Sequence, residues 1–156
     1  MTLRILIPID VEEKRSWTEI LPELRLHAKG NSVELTCMTV VPDLGTVIAQ
    51  AAQAAPFVSF VPGELKEKAL EVAQSRLGEI TETEEFGIIN RFARSGNIYS
   101  EVLQTADELS ADLIILMSHI PDFGDYWLGP NAAKIVRHAN CSVLVVRPKN
   151  KRATHD

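Results

Sequence analysis

The sequence predicts a doubly wound α/β domain built on a five-stranded parallel sheet, and three observations carry that prediction. Short apolar runs without polar alternation, such as Ile5-Leu6-Ile7 and Leu113-Ile114-Ile115-Leu116, suit strands covered on both faces. Segments with helical periodicity alternate with those runs along the chain, which implies crossovers of one hand and parallel strands. The 156 residues, 46% apolar and 24% charged, fit one domain with its own core.

The first strand ends near Pro8, which lacks an N–H and belongs where pairing stops. Ser16-Trp17-Thr18-Glu19 has the spacing of a capping box, and Trp17, Ile20, Leu21, Leu24 and Ala28 recur at helical spacing. Pro22 either kinks this helix or moves its start back to about Glu13. Gly30-Asn31 ends it. The second strand is the β-branched run Val33 to Val41. Residues 42–61 form a connection too long for a tight link and too apolar for disorder, which reads as a flap over a site or a partner contact.

Leu65, Ala69, Val72, Ala73, Leu77 and Ile80 mark the second helix, and Ile88 to Ala93 the third strand. After Ser95-Gly96-Asn97, Tyr99, Val102, Leu103, Ala106 and Leu109 share a face of the third helix. The fourth strand spans Asp112 to Met117, and 118–128 is a loop. A fourth helix starts near Gly129-Pro130, where proline suits the first turn, and buries Ala132, Ile135, Val136 and Ala139. Ser142 to Val146 is the last strand. No internal repeat appears, so a tandem two-domain form is not expected.

Composition narrows the function classes. The formal net charge is −5, and the single basic cluster, 147–152, is a tail rather than a broad basic face, so nucleic acid is not the expected partner. No apolar stretch approaches the ~20 residues that span a bilayer, and Asp10 interrupts any signal-peptide pattern, so the expected location is cytoplasmic. Cys37 and Cys141 read as free, buried thiols in a reducing compartment and make poor zinc ligands.

In such sheets ligands bind beyond the carboxyl ends of the strands, where the strand order reverses. With the first and fourth strands adjacent, Asp10 and Ser118-His119 flank one crevice. Asp10 either accepts hydrogen bonds from a ribose hydroxyl or adenine amine, or caps the first helix or closes a turn. His119 either contacts a phosphate or structures its loop. The fourth helix offers the N–H groups of Asn131, Ala132 and Ala133 to an anion, but none from Pro130. His27 and His138 read as surface residues, and Glu12-Glu13 as charge favourable to a helix start that would repel a triphosphate.

These residues resemble the universal stress protein family over about 3–147. The resemblance rests on Ile7-Pro8-Ile9-Asp10, on Asp112-Leu113-Ile114-Ile115, and most on the closing segment from Leu128-Gly129-Pro130-Asn131 to Val145-Val146-Arg147. Ser118-His119-Ile120-Pro121-Asp122 looks like a small subgroup that carries Ser-His-Arg-Pro-Asp. The resemblance implies a Rossmann-like sheet of strand order 3-2-1-4-5, a domain over 1–148 with a flexible tail at 149–156, and a homodimer. It also implies ATP or another adenine nucleotide in the crevice, with Mg²⁺ able to accompany it. By position, Asp10 and Val41 hold the adenosine end, with Pro8 also among the nucleotide-binding residues; Met117, Ser118 and His119 line the phosphate side; Gly129, Pro130 and Asn131 meet the phosphates.

The chain departs from the pattern of ATP-binding members, which is Gly-x-x-Gly, nine residues, then Gly-Ser or Gly-Thr. Met117 and Ile120 occupy the glycine positions, eight residues separate Ile120 from Gly129, and Pro130 replaces the hydroxyl residue. Each change weakens a phosphate grip while leaving the adenosine contacts possible.

The function expected is a stress-response regulator that binds an adenine nucleotide without efficient catalysis, a weak ATPase at most. The alternative is a nucleotide-free dimeric interaction module acting through protein partners. Ser118 beside His119 is no catalytic dyad by adjacency alone, since neighbouring strand residues face opposite ways. The last strand, if it is a sheet edge, is an apolar liability that pairing with its copy would cover.

Overall fold

A computed structural model describes residues 1–43, 53, 62–118 and 129–149. Within them the chain forms β1 (Thr2–Pro8), α1 (Arg15–Ala28), β2 (Ser32–Val41), α2 (Pro62–Ile80), β3 (Ile89–Ser95), α3 (Ile98–Glu108), β4 (Leu113–Met117), α4 (Gly129–His138) and β5 (Ser142–Val146). The five strands make one parallel sheet of order β3-β2-β1-β4-β5, as the element alternation and the family resemblance lead one to expect. The expected flap falls mostly on residues outside those described, as does most of the tail.

β1 is central, and its register explains the buried apolar runs. Leu6 lies beside Thr36 on one side and Ile114 on the other. Ile5, Leu6 and Ile7 are almost completely enclosed, as are Leu35, Met38, Ile114, Ile115 and Leu116. Pro8 closes β1, and the Ile9 N–H then donates to the Met38 carbonyl at 2.8 Å, so the ladder runs one bond past the proline. Asp112 locks the other side of β1: its carboxylate accepts from the Arg4 N–H at 2.8 Å, and its own N–H donates to the Arg4 carbonyl at 2.8 Å.

Right-handed crossovers place α1 and α2 on one face of the sheet and α3 and α4 on the other. On the first face α1 packs toward β4 and β5, and α2 toward β2 and β3. Arg91, on edge strand β3, ties down the end of α2. It donates from Nε to the Thr81 hydroxyl at 2.7 Å, from a terminal nitrogen to the Thr81 carbonyl at 2.8 Å, and to the Ile89 carbonyl at 3.3 Å.

Four expectations need correction. Ser16 is not an N-cap: it lies inside α1, buried, with no partner for its hydroxyl among the described residues, and Lys14 at the cap position makes no side-chain bond. The Ser-x-x-Glu spacing fails because the turn after Asp10 carries the chain to Arg15 before the helix begins. Pro22 sits within α1 on its exposed side, where solvent can serve the carbonyl that the missing N–H would have engaged. Val136 is exposed, so α4 buries a narrower face, centred on Ile135. Cys37 is buried and free as expected, but Cys141, also free, is only half-buried. Burial pushes the Cys37 thiol up to about 12, with the nearby Arg91 charge pulling the other way, so this thiol is unreactive at neutral pH.

Candidate functional site

The site begins with the turn that follows β1. Asp10 folds the chain back on itself: its Oδ1 accepts the Glu12 N–H at 2.9 Å and its carbonyl accepts the Glu13 N–H at 3.0 Å. The turn-closing reading of Asp10 is therefore correct as far as it goes, and the helix-capping one is not. One carboxylate oxygen, Oδ2, has no hydrogen-bond donor among the described residues.

The surroundings of Asp10 penalise its charge. Burial pushes its carboxyl above the ordinary carboxylate value of 3.8; the Glu12 N–H bond opposes this, and the neighbouring Glu12 and Glu13 charges add to it. The folded protein thus holds this proton more tightly than the unfolded chain. The associated stability is complete below pH 3.8 and is lost as pH rises through the folded value. Asp10→Asn, which keeps the Oδ1 acceptor, is expected to raise the melting temperature at pH 7 relative to wild type and to lose that gain near pH 3. Thermal melts of both proteins across that range check this; an offset that does not change with pH would refute it.

Asp10 stands at the rim of a cavity of about 590 Å³, within the size range of small-ligand pockets. Its floor and back are the end of β2, from Thr39 to Pro42. One side is the turn Asp10-Val11-Glu12, and the other is the face of α2 that carries Leu65, Lys68, Ala69, Val72, Ala73 and Arg76. The cavity lies between the turn after β1, the end of β2 and α2, at the carboxyl ends of the strands, where a doubly wound sheet leaves its crevice. Across its mouth Arg76 pairs with Glu12.

The structure brings together only some of the expected residues. Asp10 and Val41 line this cavity, and the Val41 carbonyl already accepts the Gly96 N–H at 3.0 Å. Pro8 is buried at the end of β1, behind the cavity. Met117 ends β4 opposite Val146 and is 2% exposed, its side chain spent on the core. The Ser118 N–H donates to the Val146 carbonyl at 2.7 Å, extending the ladder by one bond. Gly129, Pro130 and Asn131 form the first turn of α4, with Pro130 exposed. None of these last five lines the cavity. His119 lies outside the described residues.

Sequence reading missed the α2 wall. The spacing of Leu65 and Val72 marks only a helix; in the structure they are 38% and 45% exposed and line the cavity. The available signal was the pair of cations, Lys68 and Arg76, bracketing Val72 one helical turn to either side.

A doubly wound parallel sheet with a cavity beyond β1 and β2 places the protein among α/β domains with a crevice at the strand ends. The match to known proteins is more specific: the universal stress protein family model covers residues 1–147, and the chain belongs to that family. It is similar to universal stress protein G of Shigella flexneri, 42% identical over 59 residues, which is 38% of this chain and 42% of that protein. The corresponding protein of Salmonella typhimurium is 39% identical over 59 residues, with the same coverage of 38% and 42%. The chain thus spans less than half the length of these curated relatives.

Among solved structures, the hypothetical protein MJ0577 is similar at TM-score 0.70 and 24% identity, over 95% of this chain and 97% of that one. UspA of Lactobacillus plantarum is similar at TM-score 0.56 and 19% identity, over 93% and 97%. A universal stress protein in complex with cAMP is similar at TM-score 0.53 and 17% identity, over 93% and 96%. At these identities the likeness shows the fold. Among the described residues no helix is long and apolar enough to cross a membrane, and no group of three or more His, Cys, Asp and Glu side chains is placed to hold a metal ion.

Proposed function

We propose that this protein is a stress-response regulator that binds an adenine nucleotide in the cavity beside Asp10, without efficient catalysis, and acts as a cytoplasmic homodimer. The observation that carries the reading is the Asp10 carboxylate. It is half-buried, anchored through one oxygen, and leaves the other with no donor among the described residues, at the rim of a cavity with apolar walls. Such an acceptor suits the hydroxyl pair of a ribose, and the walls formed by Val41, Leu65 and Val72 suit a flat base. The cAMP bound by a protein of the same fold supports an adenine ligand here. Any Mg²⁺ would arrive with the nucleotide's phosphates.

Dimerisation follows from the sheet edge. β5 is outermost, and Val143, Leu144 and Val145 are only partly buried, so pairing with a second copy would cover them. A nucleotide-free interaction module is the second reading, and the packed Met117 favours it, because that side chain occupies the place of a phosphate-loop glycine.

One preparation tests both readings. Protein purified under native conditions and then denatured should release an adenine nucleotide identifiable by mass spectrometry, and should sediment as a dimer beforehand. In titration calorimetry Asp10→Ala should weaken adenine nucleotide binding by about tenfold to a hundredfold, the range for losing a charged hydrogen-bond acceptor. Protein that releases nothing and gives no titration heat would reject the nucleotide reading in favour of protein partners.

A further inference from the structure

Resting on that nucleotide reading, we propose that α2 supplies the anion site of this cavity: Arg76 exchanges Glu12 for the phosphate of a nucleoside monophosphate, Lys68 assists, and the site selects one phosphate over three.

Three observations lead there. First, among the described residues the cations lining the cavity are Lys68 and Arg76 on α2. They stand about 12 Å apart along the helix axis, with Val72 midway, a span that two long side chains close onto one group between them. Among the described residues neither the α4 N-terminus nor Ser118 lines the cavity, whereas Lys68 and Arg76 do.

Second, Arg76 is tied to the sugar position through two short links. Its guanidinium pairs with Glu12, and the Glu12 N–H donates to Asp10 Oδ1 at 2.9 Å. A ligand whose ribose reaches Asp10 therefore brings its 5′ substituent close to the Glu12–Arg76 pair. Both partners are largely solvated, with side-chain exposures of 75% for Glu12 and 50% for Arg76. Exposed ion pairs contribute little, so the exchange is easily reversed, and a phosphate accepts the planar guanidinium through two parallel bonds as well as a carboxylate does. Lys68 makes no ion pair among the described residues and needs no release.

Third, the charge of the lining limits how much anion it can take. Asp10 and Glu12 offset Lys68 and Arg76, so the charges of the described lining sum to zero. A monophosphate carries about −1.5 to −2 near neutral pH, which two cations match once Glu12 turns to solvent. A triphosphate brings further charge against Asp10 and Glu12 with no additional cation to meet it.

The experiment is calorimetric titration of the full chain with adenosine, AMP and ATP, for wild type, Arg76→Gln and Glu12→Gln. Wild type is expected to bind AMP about tenfold tighter than ATP. Arg76→Gln should weaken AMP about tenfold, and Glu12→Gln, which frees Arg76, should tighten it several-fold, while both leave adenosine unchanged. AMP binding unmoved by either substitution would overturn the assignment of the phosphate to α2 while leaving the nucleotide reading intact. Equal changes for adenosine and AMP would also overturn it, since the residues would then be shaping the cavity alone. Failure of all three ligands to bind any variant would remove the nucleotide reading and this inference with it.

Discussion

Leu6→Ala is expected to cost about 3–4 kcal/mol of stability, the usual penalty for removing three methyl or methylene groups from a rigid core. Leu6 is fully buried on the central strand, between Thr36 of β2 and Ile114 of β4, with helices on both faces of the sheet. A cavity there cannot collapse easily, because the neighbouring backbones are fixed by ladders on either side. In a domain of this size the loss corresponds to a fall of about 10 °C in melting temperature. Urea unfolding should show a lower midpoint with an unchanged slope. A loss under 1 kcal/mol would mean that the sheet centre repacks freely and that this account of the core is wrong.

Arg91→Met is expected to cost about 2 kcal/mol, although Arg91 makes no ion pair among the described residues. Its three hydrogen bonds go to Thr81 and Ile89, and Thr81 is completely buried just beyond the last turn of α2. The guanidinium thus serves carbonyl and hydroxyl oxygens that would otherwise be stranded, and its charge faces the negative end of the helix dipole. Methionine matches its length and apolar stem but supplies no donor. Arg91→Lys should recover less than half of the loss, because an ammonium group restores the charge without the fork geometry. Full recovery with lysine, read from urea midpoints, would show that charge alone matters. Since α2 is also a wall of the cavity, Arg91→Met should weaken adenosine binding too.

The fold was legible because parallel strands carry their burial in one dimension. A run such as Leu113 to Met117 is apolar whatever packs on it, and Pro8 marks the last residue of β1, one bond short of the end of its ladder. The family resemblance then supplied the strand order. The site was less legible because a cavity wall and a core face have the same composition. Leu65 and Val72 belong to the same helical pattern as Ala73 and Leu77, yet the first pair is exposed and the second buried. Ser16 shows a different limit. A capping pattern is local, but where the helix starts was set by the turn at Asp10, which uses hydrogen bonds the pattern does not contain. The sequence leaves Asp10 open as ligand acceptor, helix cap or turn-former, and no local pattern tells that Oδ1 closes the turn while Oδ2 has no donor among the described residues.

The clamp between Arg4 and Asp112 joins residues 108 positions apart in the chain. During synthesis at about 5–20 residues per second, roughly five to twenty seconds pass between the appearance of β1 and that of its partner β4. Throughout that interval β1 can pair with β2, but its other border presents unpaired N–H and C=O groups flanked by Ile5, Leu6 and Ile7. A bare apolar strand border recruits other chains. The entropy of closing so long a loop grows only logarithmically with its length, so the delay weighs less on final stability than on the yield of nascent chains that escape association. The central position that makes β1 the best-buried strand of the finished protein makes it the most vulnerable one while the chain is still being made.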